Sequence, residues 1–350
     1  MAPCRGHSYG LAALAAILAC GGDPSAAPRG GPDTLRVALN DLGTGTYLGF
    51  TGGLYPDGSN APPARHDSVG LARARAIVPL DGSGAPSPDG MIVLMSVGMS
   101  NTTQEFCSAS AALPCDAWSF MGQAAADPAV RHATLVIVNG ARGGQAASTW
   151  DQAADPNYDR VRDSVLTPQG LTEKQVQVVW VKQANPGPST ALPAPQADAY
   201  ALETSLGGIV RALKIRYSNL QQVFLSSRTY GGYATTTLNP EPYAYESGFS
   251  VAWLIRAQID QMAGGGTVID ARAGDLDYDG TGAWLAWGPY LWAHGTNARS
   301  DGLTWSRSDF VSDGTHPSQS GRQKVGTMLL AFFTTSPYTK CWFVTGGTCP

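Results

Sequence analysis

Charge is scarce in this chain. Asp, Glu, Lys and Arg make up 14% of its 350 residues, and 23 Lys+Arg against 27 Asp+Glu leave a net charge of -4. Globular domains usually carry roughly a quarter charged residues. No cluster of Lys or Arg is present, which excludes a dedicated nucleic-acid binder working by phosphate neutralisation. No heptad or repeat period runs through the chain, so low complexity and coiled coils are excluded as well. No apolar run is long enough to cross a bilayer. Histidine is also rare, with five in all.

What is plentiful is Gly (42) and Pro (24), beside a hydrophobic fraction of 43%. That fraction is ample for a core, so the surface is polar, weakly charged and rich in loops. The first residues read as a leader: Arg5 and His7, then a short apolar stretch over 11–19. Ile17-Leu18-Ala19-Cys20 fits a bacterial lipobox loosely. Residues 1–20 are therefore expected to be an export signal with a lipid anchor at Cys20, or an ordinary cleaved signal. Residues 21–34 read as a Gly/Pro-rich tether. The expected location is exported: periplasmic, extracellular or on the cell surface, touching membrane only through that anchor.

Cysteine usage fits an oxidising compartment. Setting Cys4 and Cys20 aside, four remain, which allow three pairings. Spacing favours the two local ones, Cys107–Cys115 and Cys341–Cys349. Seven residues between partners and no histidine nearby argue against zinc. Asp275-Leu276-Asp277-Tyr278-Asp279-Gly280 begins like a calcium loop, but Ala286 stands where the bidentate Glu belongs, so no metal site is expected.

Continuous apolar runs at 91–95, 134–138, 176–181 and 223–225 read as strands covered on both faces. Helical stretches lie between and after them: 103–111, a segment after Gly144, 199–217, 249–262 and 319–333. Alternating strands and helices imply right-handed crossovers and a parallel sheet. The expected architecture is one α/β/α domain over 89–335. An irregular extension over 35–88 precedes it, and a disulfide-bonded tail over 336–350 follows.

Sites in such sheets form at the carboxyl ends of strands. There the chain carries Gly98-Met99-Ser100, then Asn139-Gly140-Ala141-Arg142-Gly143-Gly144, then Gln183-Ala184-Asn185-Pro186, then Arg228-Thr229-Tyr230. Before the last helix comes Asp313-Gly314-Thr315-His316. A serine hydroxyl attacks only when a base takes its proton. Among the histidines His316 has an aspartate three residues earlier to fix its tautomer, and His294 is the only rival. Each piece alone has a plainer reading: Ser100 as a helix cap, Gly143-Gly144 as a turn, 313–317 as a loop. The G-x-S-x-G elbow is absent, since Thr102 fills its last position, which argues against the α/β-hydrolase fold.

In this order, the pieces resemble the SGNH (GDSL-like) hydrolase family, its carbohydrate esterases in particular. The resemblance spans about residues 90–335 and implies a three-layer, flavodoxin-like sandwich with a central parallel sheet. It implies Ser100 as nucleophile, His316 as base and Asp313 as its partner. Gly143 or Gly144 and Asn185 would be oxyanion donors. No cofactor is called for. Two blocks depart from the family: Gly-Met-Ser replaces Gly-Asp-Ser, and Gln-Ala-Asn-Pro lacks the leading glycine and trailing aspartate. The activity implied is ester hydrolysis, with acetyl groups on carbohydrate as the favoured substrate. The alternatives are an inactive glycan-binding module, or a lipase or thioesterase with the same triad. Arg228 and the aromatic residues Trp287 and Tyr290 are candidate substrate contacts, with core packing and a structural ion pair as the plainer readings.

Overall fold

The computed structural model describes residues 36–108 and 113–350. The leader, the lipobox and the tether up to residue 35 lie outside the described residues. Within them the chain opens with the single turn α1 (Leu39–Leu42) and a small antiparallel hairpin, β1 (Thr46–Tyr47) and β2 (Phe50–Thr51). Helix α2 (Ala64–Ala76) follows. The sheet is then built from β3 (Ile92–Gly98), β4 (Leu135–Asn139), β5 (Val176–Lys182), β6 (Gln222–Ser226) and β7 (Trp284–Trp287). Its spatial order is β4-β3-β5-β6-β7, every pair parallel. Met95 sits between Val138 and Val179, and Leu225 between Val181 and Trp287.

The connecting helices are α3 (Ser100–Phe106), α4 (Phe120–Ala126), α5 (Pro156–Val161), α6 (Asp198–Arg216), α7 (Tyr243–Ala263), α8 (Gln319–Thr335) and α9 (Lys340–Phe343). Helices α6 and α7 pack on each other, while α8 packs on α3, α4 and α9. This is the expected α/β sandwich with a central parallel sheet. Strands β3 and β5 are buried at every position, which explains why their sequences are almost unbroken apolar runs. From β3 the chain crosses to one side, and from β5 to the other. The crevice between the carboxyl ends of β3 and β5 is thus the topological switch point, where ligands bind in such folds.

Two elements differ from the sequence reading. Residues 64–76, assigned to an irregular extension, form α2, which packs against β6 and β7. Three arginines and Gly70 obscure its apolar face. Gly70 is needed there, because a Cβ would fall 2.2 Å from the Trp284 ring. The 284–287 segment, read only as an aromatic stretch, is the edge strand β7, with all four residues buried. Helix α3 also starts three residues earlier than expected and ends at Phe106, with Cys107 as its cap residue, bonded to Cys115. Cys341 is bonded to Cys349. Both are the pairings that spacing favoured. No helix among the described residues is long and apolar enough to cross a membrane.

Candidate active site

Strand β3 ends at Gly98, and Ser100 is the first residue of α3, at the switch-point crevice. As first residue of a helix, its N–H has no intrahelical acceptor and faces outward. Its Oγ lies 2.8 Å from His316 Nε2. His316 Nδ1 lies 2.6 Å from Asp313 Oδ2. The other Asp313 oxygen accepts the backbone N–H groups of Thr315 and His316, at 2.8 and 2.9 Å. A carboxylate beside Nδ1 fixes the proton on that nitrogen, leaving the Nε2 lone pair for the serine proton. Partial burial pushes the Asp313 carboxyl up, but the hydrogen bonds from His316 and Thr315 and the imidazole charge outweigh it and hold it below its ordinary value.

The loop carrying this pair is locked from several directions. The N–H of Val311 donates to His316 O, closing the turn, and Asp313 O accepts the Thr235 N–H. Gly314 turns with φ +69°, and a Cβ there would fall 1.7 Å from Tyr233 O. Buried Asn101, next to the nucleophile, donates from Nδ2 to Thr315 O at 2.8 Å, so α3 grips the histidine loop directly.

Under α3 lies a polar scaffold that the sequence reading missed. Lys182, at the end of β5, and Glu105, on α3, are both fully buried, with Nζ 2.6 Å from each carboxylate oxygen. Burial pushes the Lys182 ammonium down to about 8, although Glu105 opposes the shift. Ser96 donates to Asn139, whose amide donates to Thr103 Oγ1, tying β3, β4 and α3 together. The available signal was a lysine closing an otherwise apolar strand.

Of the expected oxyanion donors, Gly143 is brought to the nucleophile: a Cβ built on it would lie 3.8 Å from Ser100 Cβ. Gly144 takes φ +77° with nothing within 4 Å of such a Cβ, and so serves the turn. Asn185 is half-buried, and its side-chain amide donates to Asp198 Oδ1 at 3.1 Å. That bond ties Asn185 to the start of α6 and uses one of the two N–H groups of its amide.

The three expected substrate contacts are corrected by their burial. Trp287 is 4% exposed and donates from Nε1 to Leu54 O. Tyr290 is 4% exposed, and its hydroxyl accepts the Leu39 N–H. Both rings are core, holding the N-terminal segment against the sheet edge. Arg228 is 3% exposed, and its guanidinium lies in the field of Glu105, Glu241 and Asp313. All three are therefore buried side chains, with almost none of their surface open to a ligand. The rival base His294 lines a separate cavity of about 390 Å³, with Arg36, Asp41 and Arg299.

No family model matches this chain. No curated protein matches it either. Solved structures give remote likenesses. The psychrotrophic esterase EstA from a Pseudoalteromonas species is 11% identical, with a TM-score of 0.35, covering 69% of this chain and 95% of that one. An extracellular lipase from Streptomyces rimosus is 15% identical, with a TM-score of 0.33, over 68% of this chain and 97% of that one. A carbohydrate esterase family 2 enzyme with a carbohydrate-binding domain, from Corynascus thermopiles, is 12% identical, with a TM-score of 0.36, over 70% and 66%.

Proposed function

We propose that this chain is an exported serine esterase of the SGNH type, hydrolysing ester groups on carbohydrate, with acetyl as the favoured acyl group. The supporting observation is the hydrogen-bonded line Ser100–His316–Asp313, whose serine and histidine are 216 residues apart. In this reading Ser100 Oγ attacks the ester carbonyl while His316 Nε2 takes its proton. Asp313 steadies the imidazolium. The tetrahedral oxyanion is met by the N–H groups of Ser100 and Gly143. His316 then gives that proton to the sugar oxygen as its bond to the acyl carbon breaks, releasing the sugar hydroxyl and leaving an acyl-serine. Water attacks that ester with His316 again as base, releasing the carboxylic acid and restoring the serine.

The half-buried Ser100 beside exposed Gly143 supports a polymer-bound substrate, because the nucleophile stands at the surface. The two disulfides support export. Acetate release from acetylated xylan and 4-nitrophenyl acetate tests the reading. Activity lost by at least about a thousandfold in Ser100→Ala and His316→Ala supports it. Equal rates in wild type and Ser100→Ala overturn it.

A further inference from the structure

Two cations with no carboxylate partner meet the loop that follows β4 and carries Gly143. Arg142 immediately precedes Gly143, where a Cβ would lie 3.8 Å from Ser100 Cβ, and its side chain is exposed. Its backbone is fixed, the N–H donating to Gly98 O at 3.1 Å, so the residue is anchored to the end of β3. Arg160, on α5, reaches back to the same loop and donates to Gly140 O. Burial lowers the Arg160 guanidinium, and the Arg142 charge lowers it further. Its buried Nε finds no acceptor. Among the described residues, neither guanidinium forms an ion pair.

Two mutually repelling cations, one of them half-desolvated, raise the local potential at the rim of the site in a protein of net charge -4. Nearby Arg162 and Arg216 are each matched by Asp159, and Arg162 by Asp163 as well. Arg142 and Arg160 both meet the loop that carries the expected oxyanion glycine, Arg142 by sequence and Arg160 through its bond to Gly140 O. An arginine fork is suited to a carboxylate, and anions gain most where two cations already repel.

We infer that the Arg142–Arg160 rim is a subsite for a carboxylate on the substrate, so that the esters hydrolysed are borne by acidic saccharides such as acetylated uronic acid residues. This rests on the hydrolase reading for its chemistry but not for its binding. The anion is held by Arg142, with Arg160 reinforcing the field behind it, while the neighbouring ester faces Ser100.

The test compares acetylated polygalacturonate with acetylated xylan, a neutral polymer, through the ratio of their kcat/KM values. Wild type is expected to favour the acidic polymer by about tenfold, the worth of one charge-assisted hydrogen bond. The preference should shrink as salt rises. Arg142→Glu should remove or invert it, and Arg142→Lys should keep part of it. A ratio near one in wild type, or one unchanged by Arg142→Glu, overturns the inference. Calorimetric binding of acetylated polygalacturonate to Ser100→Ala and to Ser100→Ala/Arg142→Glu separates the two claims. Charge-dependent binding without hydrolysis by wild type would sink the esterase reading and leave the subsite standing. Hydrolysis of both polymers with no such binding would do the reverse.

Discussion

Lys182 Nζ lies 2.6 Å from both carboxylate oxygens of Glu105, and neither side chain has any exposed surface. The pair joins the end of β5 to the helix that presents Ser100. Removing one partner leaves a buried charge, which costs about 3–5 kcal/mol. Glu105→Gln and Lys182→Met should each lower the unfolding free energy by that order, measured by urea denaturation. The double variant Glu105→Leu/Lys182→Met should recover most of the loss. A double variant as unstable as the sum of the singles would contradict the pairing.

Asn101 acts on the histidine loop through Thr315 O and touches no reacting atom. Asn101→Ala should cost about 1–3 kcal/mol of stability. It should also lower kcat by more than it changes KM, because the His316 ring loses a fixed platform. Steady-state kinetics on a neutral ester would check this, and an unchanged kcat would count against it.

Gly314 cannot accept a side chain without moving the turn between Asp313 and His316. In Gly314→Ala, the positive φ and the contact with Tyr233 O combine, and local strain of about 1–3 kcal/mol is expected. The expected result is a folded protein with most of its esterase activity gone. Full activity would mean that the loop has more freedom than its contacts imply.

His66 shapes the pH dependence of stability. Burial pushes its imidazole down to about 4 from an ordinary value of 6.5, and Nε2 bonds Leu285 O at 2.7 Å. A folded value below the unfolded one means the unfolded chain binds the extra proton, so stability falls as pH drops from 6.5 toward 4. Integrated over that window the loss is about 3 kcal/mol. The difference in unfolding free energy between wild type and His66→Gln, measured at pH 7.5 and 5, isolates this group. A difference constant with pH would refute it.

The three residues of the Ser100–His316–Asp313 hydrogen-bonded line could be picked out in the sequence because they lie in short blocks, after β3 and before the last helix. Asp313 and His316 are close in the chain, and only Ser100 had to be brought across the fold. The interior strands β3, β5 and β6 were equally legible, since burial on both faces leaves mostly apolar residues, and the edge strand β4 carries a similar run. Harder to read were parts whose meaning depends on a distant partner. Gly70 looks like a helix breaker until Trp284 lies against it. Lys182 looks like the polar end of a strand until Glu105 is found beneath it. Trp287 and Tyr290 look like a sugar platform, yet their polar atoms answer Leu54 and Leu39, more than two hundred residues away.

The most direct test of the account is covalent labelling of the folded protein by a fluorophosphonate, followed by mapping of the modified peptide. The hydrogen bond from Ser100 to His316 predicts a single adduct on Ser100. It should be absent in Ser100→Ala and strongly slowed in His316→Ala. A folded wild-type protein that takes no label, or one labelled elsewhere, would contradict a catalytic Ser100.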